Sequence, residues 1–184
     1  MTSAWVGERV RLRGVEPGDW VAFAGFDEFS DDVRNSWFLP PPRSAEAAKR
    51  WAAELAVQDP GFDEFRLVIA VKEDGAAAGM INTQNIDTRS GTFSYGIGVG
   101  RPYQGKGLAR EAVVLTLRYM FAERRFQKCD ITVYGSNAAS LALHERLGFV
   151  VEGRKRRSHY AAGRFEDVVL LGMTIEEFDQ LHGL

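Results

Sequence analysis

Cysteine is nearly missing from this chain. Cys129 is the only one in 184 residues, which excludes an intrachain disulfide and a cysteine-based zinc site. It sits in the strand-like stretch KCDITV, where burial as a small hydrophobe is the expected state. Long apolar runs are missing as well: no window approaches the ~18 residues of a membrane span. The opening segment MTSAWVGERVRL carries charge by Glu8 and has no apolar h-region, so no signal peptide is expected and the location implied is cytoplasmic. Positive charge is not in surplus. A formal net charge of −2 argues against a general nucleic-acid binder, and the one basic run, Arg154-Lys155-Arg156-Arg157, reads as a solvated strand or loop face. Repeats, linkers and low-complexity tracts are absent too, so residues 1–184 are expected to form a single domain.

The elements that remain follow a clear order. Val10 and Leu12 alternate with Arg11 and Arg13, which predicts a half-buried strand over Glu8–Val15. Pro17-Gly18-Asp19 supplies a turn and cap for a short helix over Trp20–Phe26. The segment Asp27–Pro42 is acidic and aromatic, ends in three prolines and reads as irregular. Ser44 is a fitting N-cap for a helix over Ala45–Val57. Strands are predicted over Glu64–Val71, Ala77–Ile86 and Thr92–Val99, with turns at Glu73-Asp74-Gly75 and Asp87–Gly91. Leu108–Arg124 is the strongest helical signal, with Val113, Leu117, Met120 and Phe121 on one face. A strand (Lys128–Val133), a helix (Asn137–Leu147) and a closing hairpin (Phe149–Arg156, Phe165–Met173, turning at Ala162-Gly163) complete the chain. The order predicts an α+β fold with a mixed, mostly antiparallel sheet of about seven strands and about four helices.

The stretch GIGVGRPYQGKGLA, Gly96–Ala109, lies between a strand and the long helix. There, glycines let backbone N–H groups approach an anion and the helix N-terminus adds positive potential. A dinucleotide fingerprint, G-x-G-x-x-G, fails: counting from Gly96, Gly98 or Gly105 puts Arg101, Tyr103 or Arg110 in the last place. A phosphate-binding Walker loop comes closer, since Gly100 to Lys106 satisfies G-x-x-x-x-G-K. The next residue is Gly107, however, which has no hydroxyl for Mg²⁺.

Gln104-Gly105-Lys106-Gly107-Leu108-Ala109 fits Q/R-x-x-G-x-G/A, and here the chain resembles the GCN5-related N-acetyltransferases (GNAT superfamily). The likeness continues through Asn137-x-x-Ser140, His144-Glu145-Arg146-Leu147-Gly148-Phe149 and Val151-Glu152-Gly153. The opening RVRLRGVEPGDW and the final GRFEDVVLLGM are similar to the branch that includes ribosomal-protein N-terminal acetyltransferases. The resemblance implies a sheet splayed at its centre, with acetyl-CoA as cosubstrate and no metal. It also implies an amine as acetyl acceptor and a monomeric or homodimeric protein.

The same resemblance assigns expected roles to particular residues. The pantetheine arm would lie along Thr92–Val99, including Ile97 and Val99, where Gly96 and Gly98 allow close approach. The N–H groups of Gly105, Lys106, Gly107, Leu108 and Ala109, following Gln104, would hold the pyrophosphate, with Lys106 and Arg110 adding charge. Asn137 would hydrogen-bond the pantetheine. Aminolysis of a thioester needs a proton acceptor for the amine, donors for the oxyanion, and an acid near the sulfur; a backbone N–H near Val99 would serve the oxyanion. Many relatives carry a tyrosine acid where this chain has His144, whose unperturbed pKa of about 6.5 would leave it partly protonated near neutrality. Ser140 is the competing candidate. At helical spacing Asn137, Ser140 and His144 fall within roughly 60° of arc, beside apolar Leu143 and Leu147.

The base is less defined. The strand before the loop has Phe93-Ser94-Tyr95 and no carboxylate where relatives place a glutamate. His159 occupies the alternative place counted from Gly148-Phe149, and Asp167 is a weaker candidate. Asp27, Glu28, Asp31 and Asp32 lie where the variable substrate segment is expected and would favour a cationic amine. Two functions therefore stand at this stage: an acetyl-CoA-dependent N-acetyltransferase acting on a primary amine, or a non-catalytic acetyl-CoA-binding regulator.

Overall fold

The computed structural model describes residues 3–36 and 39–184. The first two residues of the opening segment, and Trp37 and Phe38 of Asp27–Pro42, lie outside the described residues. The strands are β1 (Val10–Arg13), β2 (Arg66–Val71), β3 (Ala77–Asp87), β4 (Thr92–Val99), β5 (Lys128–Tyr134), β6 (Val150–Ala161) and β7 (Arg164–Thr174). They form one seven-stranded sheet in the order β1-β2-β3-β4-β5-β7-β6. β4 and β5 run parallel, while β1–β2, β2–β3, β5–β7 and β7–β6 are antiparallel, so the mixed α+β reading holds. By internal contacts the chain divides into two compact units, Met1–Thr83 with Gly96–Thr116 and Gln84–Tyr95 with Leu117–Leu184.

In the first unit the alternation of β1 is realised: Val10 and Leu12 are buried and Arg11 is exposed. Pro17–Asp19 forms a 3-10 turn that leads into α1 (Trp20–Asp27), and α2 (Ser30–Ser36) and α3 (Ala45–Ala56) follow. The Ser44 hydroxyl accepts the Ala47 N–H at 3.1 Å, as its N-cap role requires. Val15, Phe23 and Val68 form a small core on which Trp51 and Leu55 of α3 pack, and the Phe23 and Trp51 rings meet edge-on at 5.6 Å. One expectation fails here. Ser30–Ser36, inside the supposed irregular segment, is helical, with Asp31 bridged to Arg34 one turn on at 2.8 Å; local ion pairing replaces the apolar stripe that would have revealed it.

Arg13 ties β1 to the start of α1. Its guanidinium donates to both Asp19 carboxylate oxygens at 2.8 Å, and the Glu16 N–H donates to Oδ2 at 2.8 Å. Burial pushes the Asp19 carboxyl up, but the Arg13 hydrogen bonds, the Glu16 N–H and the Arg13 charge together outweigh it and hold the group below the usual range. Because the folded pKa is the lower one, this stabilisation is present above the unfolded value near 3.9 and fades as pH falls through the folded value. Asp19→Asn is expected to cost on the order of 1–2 kcal/mol at pH 7. In urea titrations its deficit should shrink steadily below about pH 4; a deficit independent of pH would refute the assignment.

In the second unit Phe93, Phe121 and Phe178 are buried to within 2% of full and interlock edge-on or tilted, Phe93–Phe121 at 5.6 Å and Phe121–Phe178 at 5.3 Å. α4 covers Leu108–Arg118 and passes into one π-helical turn over Tyr119–Glu123, so the predicted Leu108–Arg124 helix changes pitch at its end. α5 is Ala138–Leu147 and α6 is Ile175–His182. The described residues thus contain six α-helices where about four were expected. α6 is held by a capping box, Thr174 Oγ1 accepting from Glu177 N–H and Glu177 Oε2 from Thr174 N–H. β6 and β7 close through Ala162 and Gly163, both at positive φ. Arg154 to Arg157 are exposed on β6, which matches the solvated-face reading, and Cys129 is buried as expected.

Candidate active site

The glycine loop belongs wholly to the first unit. Gly105 and Gly107 take φ of 73° and 79°, conformations that side chains with a Cβ resist. A Cβ on Gly107 would also stand 2.5 Å from Nη1 of Arg9. The first rung of α4 is the Glu111 N–H to Gly107 O at 3.2 Å, so the N–H groups of Gly107, Leu108, Ala109 and Arg110 have no intrahelical acceptor. Gln104, Gly105, Lys106 and Gly107 are exposed, Leu108 is buried and Ala109 is half-buried. Gln104 ties the loop to β4, its Nε2 donating to Val99 O at 3.0 Å. This run of amides without intrahelical acceptors, with Lys106 and Arg110 exposed beside it, is of the kind that could hold a pyrophosphate.

β4 leads into this loop. Ile97 and Val99 are half-buried and Gly98 is exposed. Ideal Cβ placement on Gly79 of β3 falls 2.2 Å from Gly98 O and 2.9 Å from the Val99 Cα, so the two backbones touch there. Gly100 donates its N–H to Ala78 O at 2.9 Å, and Phe26 of α1 fills the space a Cβ on Gly100 would need.

The second group of candidates lies in the second unit. Asn137 is the N-cap of α5 rather than a helix residue, and its Oδ1 accepts the Ser140 N–H at 3.0 Å. The expected stripe of three is thereby corrected to a cap followed by Ser140 and His144. His144 is 3% exposed. Its Nδ1 donates to the Ser140 carbonyl at 2.7 Å, with Ser140 Oγ second at 3.3 Å, and its Nε2 lies 2.7 Å from the Tyr95 hydroxyl. Burial lowers the His144 pKa, and the Ser140 carbonyl only partly restores it. The charged form of this imidazole is therefore less favoured near neutrality than that of a free histidine.

Gly148 explains the LGF sequence. At φ 96° it ends α5 in the left-handed region, which lets the Phe149 N–H reach back to His144 O at 3.0 Å. The Phe149 ring then stands edge-on to His144 at 5.2 Å and beside Tyr95 at 6.2 Å.

His159 is buried on β6 and stacked flat on Tyr134, ring centroids 3.7 Å apart. Asp167 is committed to the fold: its Oδ1 accepts the Arg157 N–H at 3.0 Å and Oδ2 meets Arg154 at 3.4 Å. That backbone hydrogen bond, followed by the Arg154 side chain and the Arg156 charge, lowers its pKa. It shapes the β6 bulge and is a poor base. The acidic residues of the first unit are mostly paired. Asp27 lies 3.6 Å from Arg43 and Asp31 2.8 Å from Arg34, while Asp32 bridges Arg101 at 3.2 Å. Glu28 is exposed at the end of α1.

Sequence reasoning missed two residues. Tyr95 stands beside the Ser94 position where a carboxylate was sought, and nothing in the chain ties it to a partner 49 residues away. Arg9 lies 97 residues before Lys106, whose carbonyl it reaches at 3.3 Å.

The acetyltransferase (GNAT) domain matches residues 9–150. The SPbeta prophage-derived uncharacterized N-acetyltransferase YokL of Bacillus subtilis (strain 168) is 41% identical over 179 residues, 97% of each chain. The crystal structure of spermidine N-acetyltransferase from Vibrio cholerae with CoA and spermine superposes with a TM-score of 0.77 at 22% identity, covering 94% of this chain and 99% of that one. Ribosomal-protein-S5-alanine acetyltransferase from Vibrio fischeri gives 0.73 at 24% identity, covering 94% and 97%. The last two establish the shared fold.

Proposed function

Since the chain belongs to the GNAT acetyltransferase family, we propose that it moves the acetyl group of acetyl-CoA directly to a primary amine in a ternary complex. The acceptor class is a peptide or protein N-terminus or a small-molecule amine. The observation that carries this reading is the loop Gln104–Ala109, with its two left-handed glycines and the open amides at the start of α4. These amides would hold the pyrophosphate, aided by Lys106 and Arg110, and Gly96 to Val99 would run beside the pantetheine, with Asn137 contributing from its cap. Acetyl-CoA when bound supplies the activated acyl group. The chain's own residues position it and handle the proton. His144 and Ser140 are the groups for the departing sulfur, and His159 is the candidate acceptor for the amine proton. Asp27, Glu28, Asp31 and Asp32 would bias the acceptor toward cationic amines, although three of them are partly neutralised by arginines. No helix among the described residues is long and apolar enough to cross a membrane; the reading takes the enzyme as cytoplasmic, monomeric or homodimeric.

Calorimetry with acetyl-CoA, joined to thiol release across N-terminal peptides, polyamines and aminoglycosides, tests this. Binding with turnover on at least one amine is expected. Binding without turnover would favour a regulator, and no binding would overturn the reading. His144→Ala and His159→Ala variants that both keep wild-type kcat/KM over pH 6–9 would remove those two roles.

A further inference from the structure

We infer that Tyr95 is the proton-transfer residue of this enzyme and that His144 stands behind it as the proton store. The inference rests on the activity proposed above, and its basis is the different character of the two partners His144 meets. The Ser140 carbonyl at 2.7 Å can only accept, so Nδ1 carries its proton in every state of the ring. The Tyr95 hydroxyl at 2.7 Å can both donate and accept. It donates to Nε2 when the ring is neutral and accepts from Nε2–H when the ring is charged. Nε2 is thus the nitrogen where a proton can come and go, and the Tyr95 oxygen is its route, because both residues are at least 95% buried and Nδ1 is committed. Ser140 Oγ faces the committed nitrogen and cannot draw a proton from it without leaving Nδ1 bare against a carbonyl. Tyr95 also directly precedes Gly96, where the proposed pantetheine edge begins.

One chain of two residues then serves both proton transfers, taking over the parts first given to Ser140 and His159. As the amine nitrogen bonds to the acetyl carbon, its proton passes to Tyr95 Oη while the Tyr95 proton passes to His144 Nε2, giving the imidazolium. As the carbon–sulfur bond breaks and its electron pair leaves on sulfur, Tyr95 gives its proton to sulfur and recovers one from Nε2. The proton lost by nitrogen is the proton gained by sulfur, and the neutral pair is restored. No carboxylate near Ser94 is needed. The other titratable group facing Tyr95 is Cys129, whose buried thiol is pushed well up and stays protonated, as does the Tyr95 phenol itself, raised by its own burial and by Cys129. Neutral His144 is the form ready to accept, so the acid limb of kcat/KM is expected below the ordinary histidine range, with activity lost as pH falls through it.

The test uses the full chain with acetyl-CoA and an amine that turns over, spermidine or an alanyl peptide being the first probes. Tyr95→Phe is expected to lower kcat by ~10²-fold or more, with KM for acetyl-CoA within about twofold, since uniform binding is untouched. His144→Ala added to Tyr95→Phe should cost little further, because the two act in series. Ser140→Ala should lose less than Tyr95→Phe. If Tyr95→Phe does not fold, 3-fluorotyrosine at position 95 keeps the hydroxyl and should displace the pH profile. Independently of turnover, nitrogen-15 NMR should find neutral His144 protonated at Nδ1. A Tyr95→Phe enzyme within threefold of wild type, multiplicative losses, an unmoved fluorotyrosine profile, or a neutral ring protonated at Nε2 would each overturn the relay. A wild-type chain that binds acetyl-CoA and acetylates no amine would sink the proposed activity instead, and the relay would then be judged on the tautomer alone.

Discussion

Gly79→Ala is expected to cost about 2–3 kcal/mol, the upper range for forcing extra atoms into close packing, and to lower Tm by roughly 4–12 °C for a chain of this size. The added methyl would lie 2.2 Å from Gly98 O and 2.9 Å from the Val99 Cα. Both are backbone atoms, so no side chain can swing aside, and β3 and β4 must separate. Gly98 and Val99 lie on the edge proposed for the pantetheine arm, and Val99 O anchors Gln104 of the phosphate loop at 3.0 Å. The same substitution should therefore weaken acetyl-CoA binding by about tenfold or more, each tenfold being ~1.4 kcal/mol. Gly14→Ala is the control. Nothing lies within 4 Å of its added Cβ, and its effect on stability should stay below about 1 kcal/mol in either direction. Thermal unfolding and acetyl-CoA calorimetry on both proteins decide the matter. Equal behaviour of the two would show that the strands tolerate the separation.

What could be read beforehand follows from the range over which each signal acts. Strand alternation is local, so β1 to β7 were found in order, and so was the loop before α4, where glycines and a helix start coincide in one short window. Helices without an apolar stripe escaped. α2 is built on Asp31 and Arg34, and its neighbours are polar or aromatic without a period. α6 did carry a legible start, Thr174-x-x-Glu177, but it follows β7 with no turn residue between them to mark the change. Asn137 illustrates an ambiguity in side-chain chemistry: an asparagine before a helix can cap it or face a ligand, and the spacing to Ser140 is the same in both cases. The character of His144 was beyond reach for a different reason. Its charge depends on burial and its Nε2 partner is Tyr95, and both arise only when α5 packs against β4. Asp27 and Asp32 looked like part of an open anionic surface because the arginines that pair with them, Arg43 and Arg101, are distant in the chain.

Phe93→Ala should be the most destabilising single truncation near the proposed proton relay, at about 3–5 kcal/mol. Phe93 is 1% exposed, with its ring 5.6 Å from Phe121 and 5.4 Å from Phe126. Its backbone pairs with Cys129 in the parallel β4–β5 ladder, where the register runs Thr92↔Lys128 and Phe93↔Cys129. Removing the ring leaves a cavity that Phe121 and Phe126 cannot close without moving, and the Phe121 ring also packs on Phe178. The consequence reaches the chemistry through the strand. Tyr95 is two residues on, and a 2.7 Å hydrogen bond to His144 tolerates little displacement, since misplacement by about 1 Å can cost 10²-fold in rate. Phe93→Ala should therefore lose activity even at temperatures where it stays folded, whereas Val57→Ala, 84% exposed, should stay within about 0.5 kcal/mol of wild type. Urea unfolding followed by tryptophan fluorescence gives the first quantity, and kcat measured well below the midpoint gives the second. A destabilised Phe93→Ala protein with unchanged kcat would mean that the aromatic cluster supports the fold without positioning Tyr95.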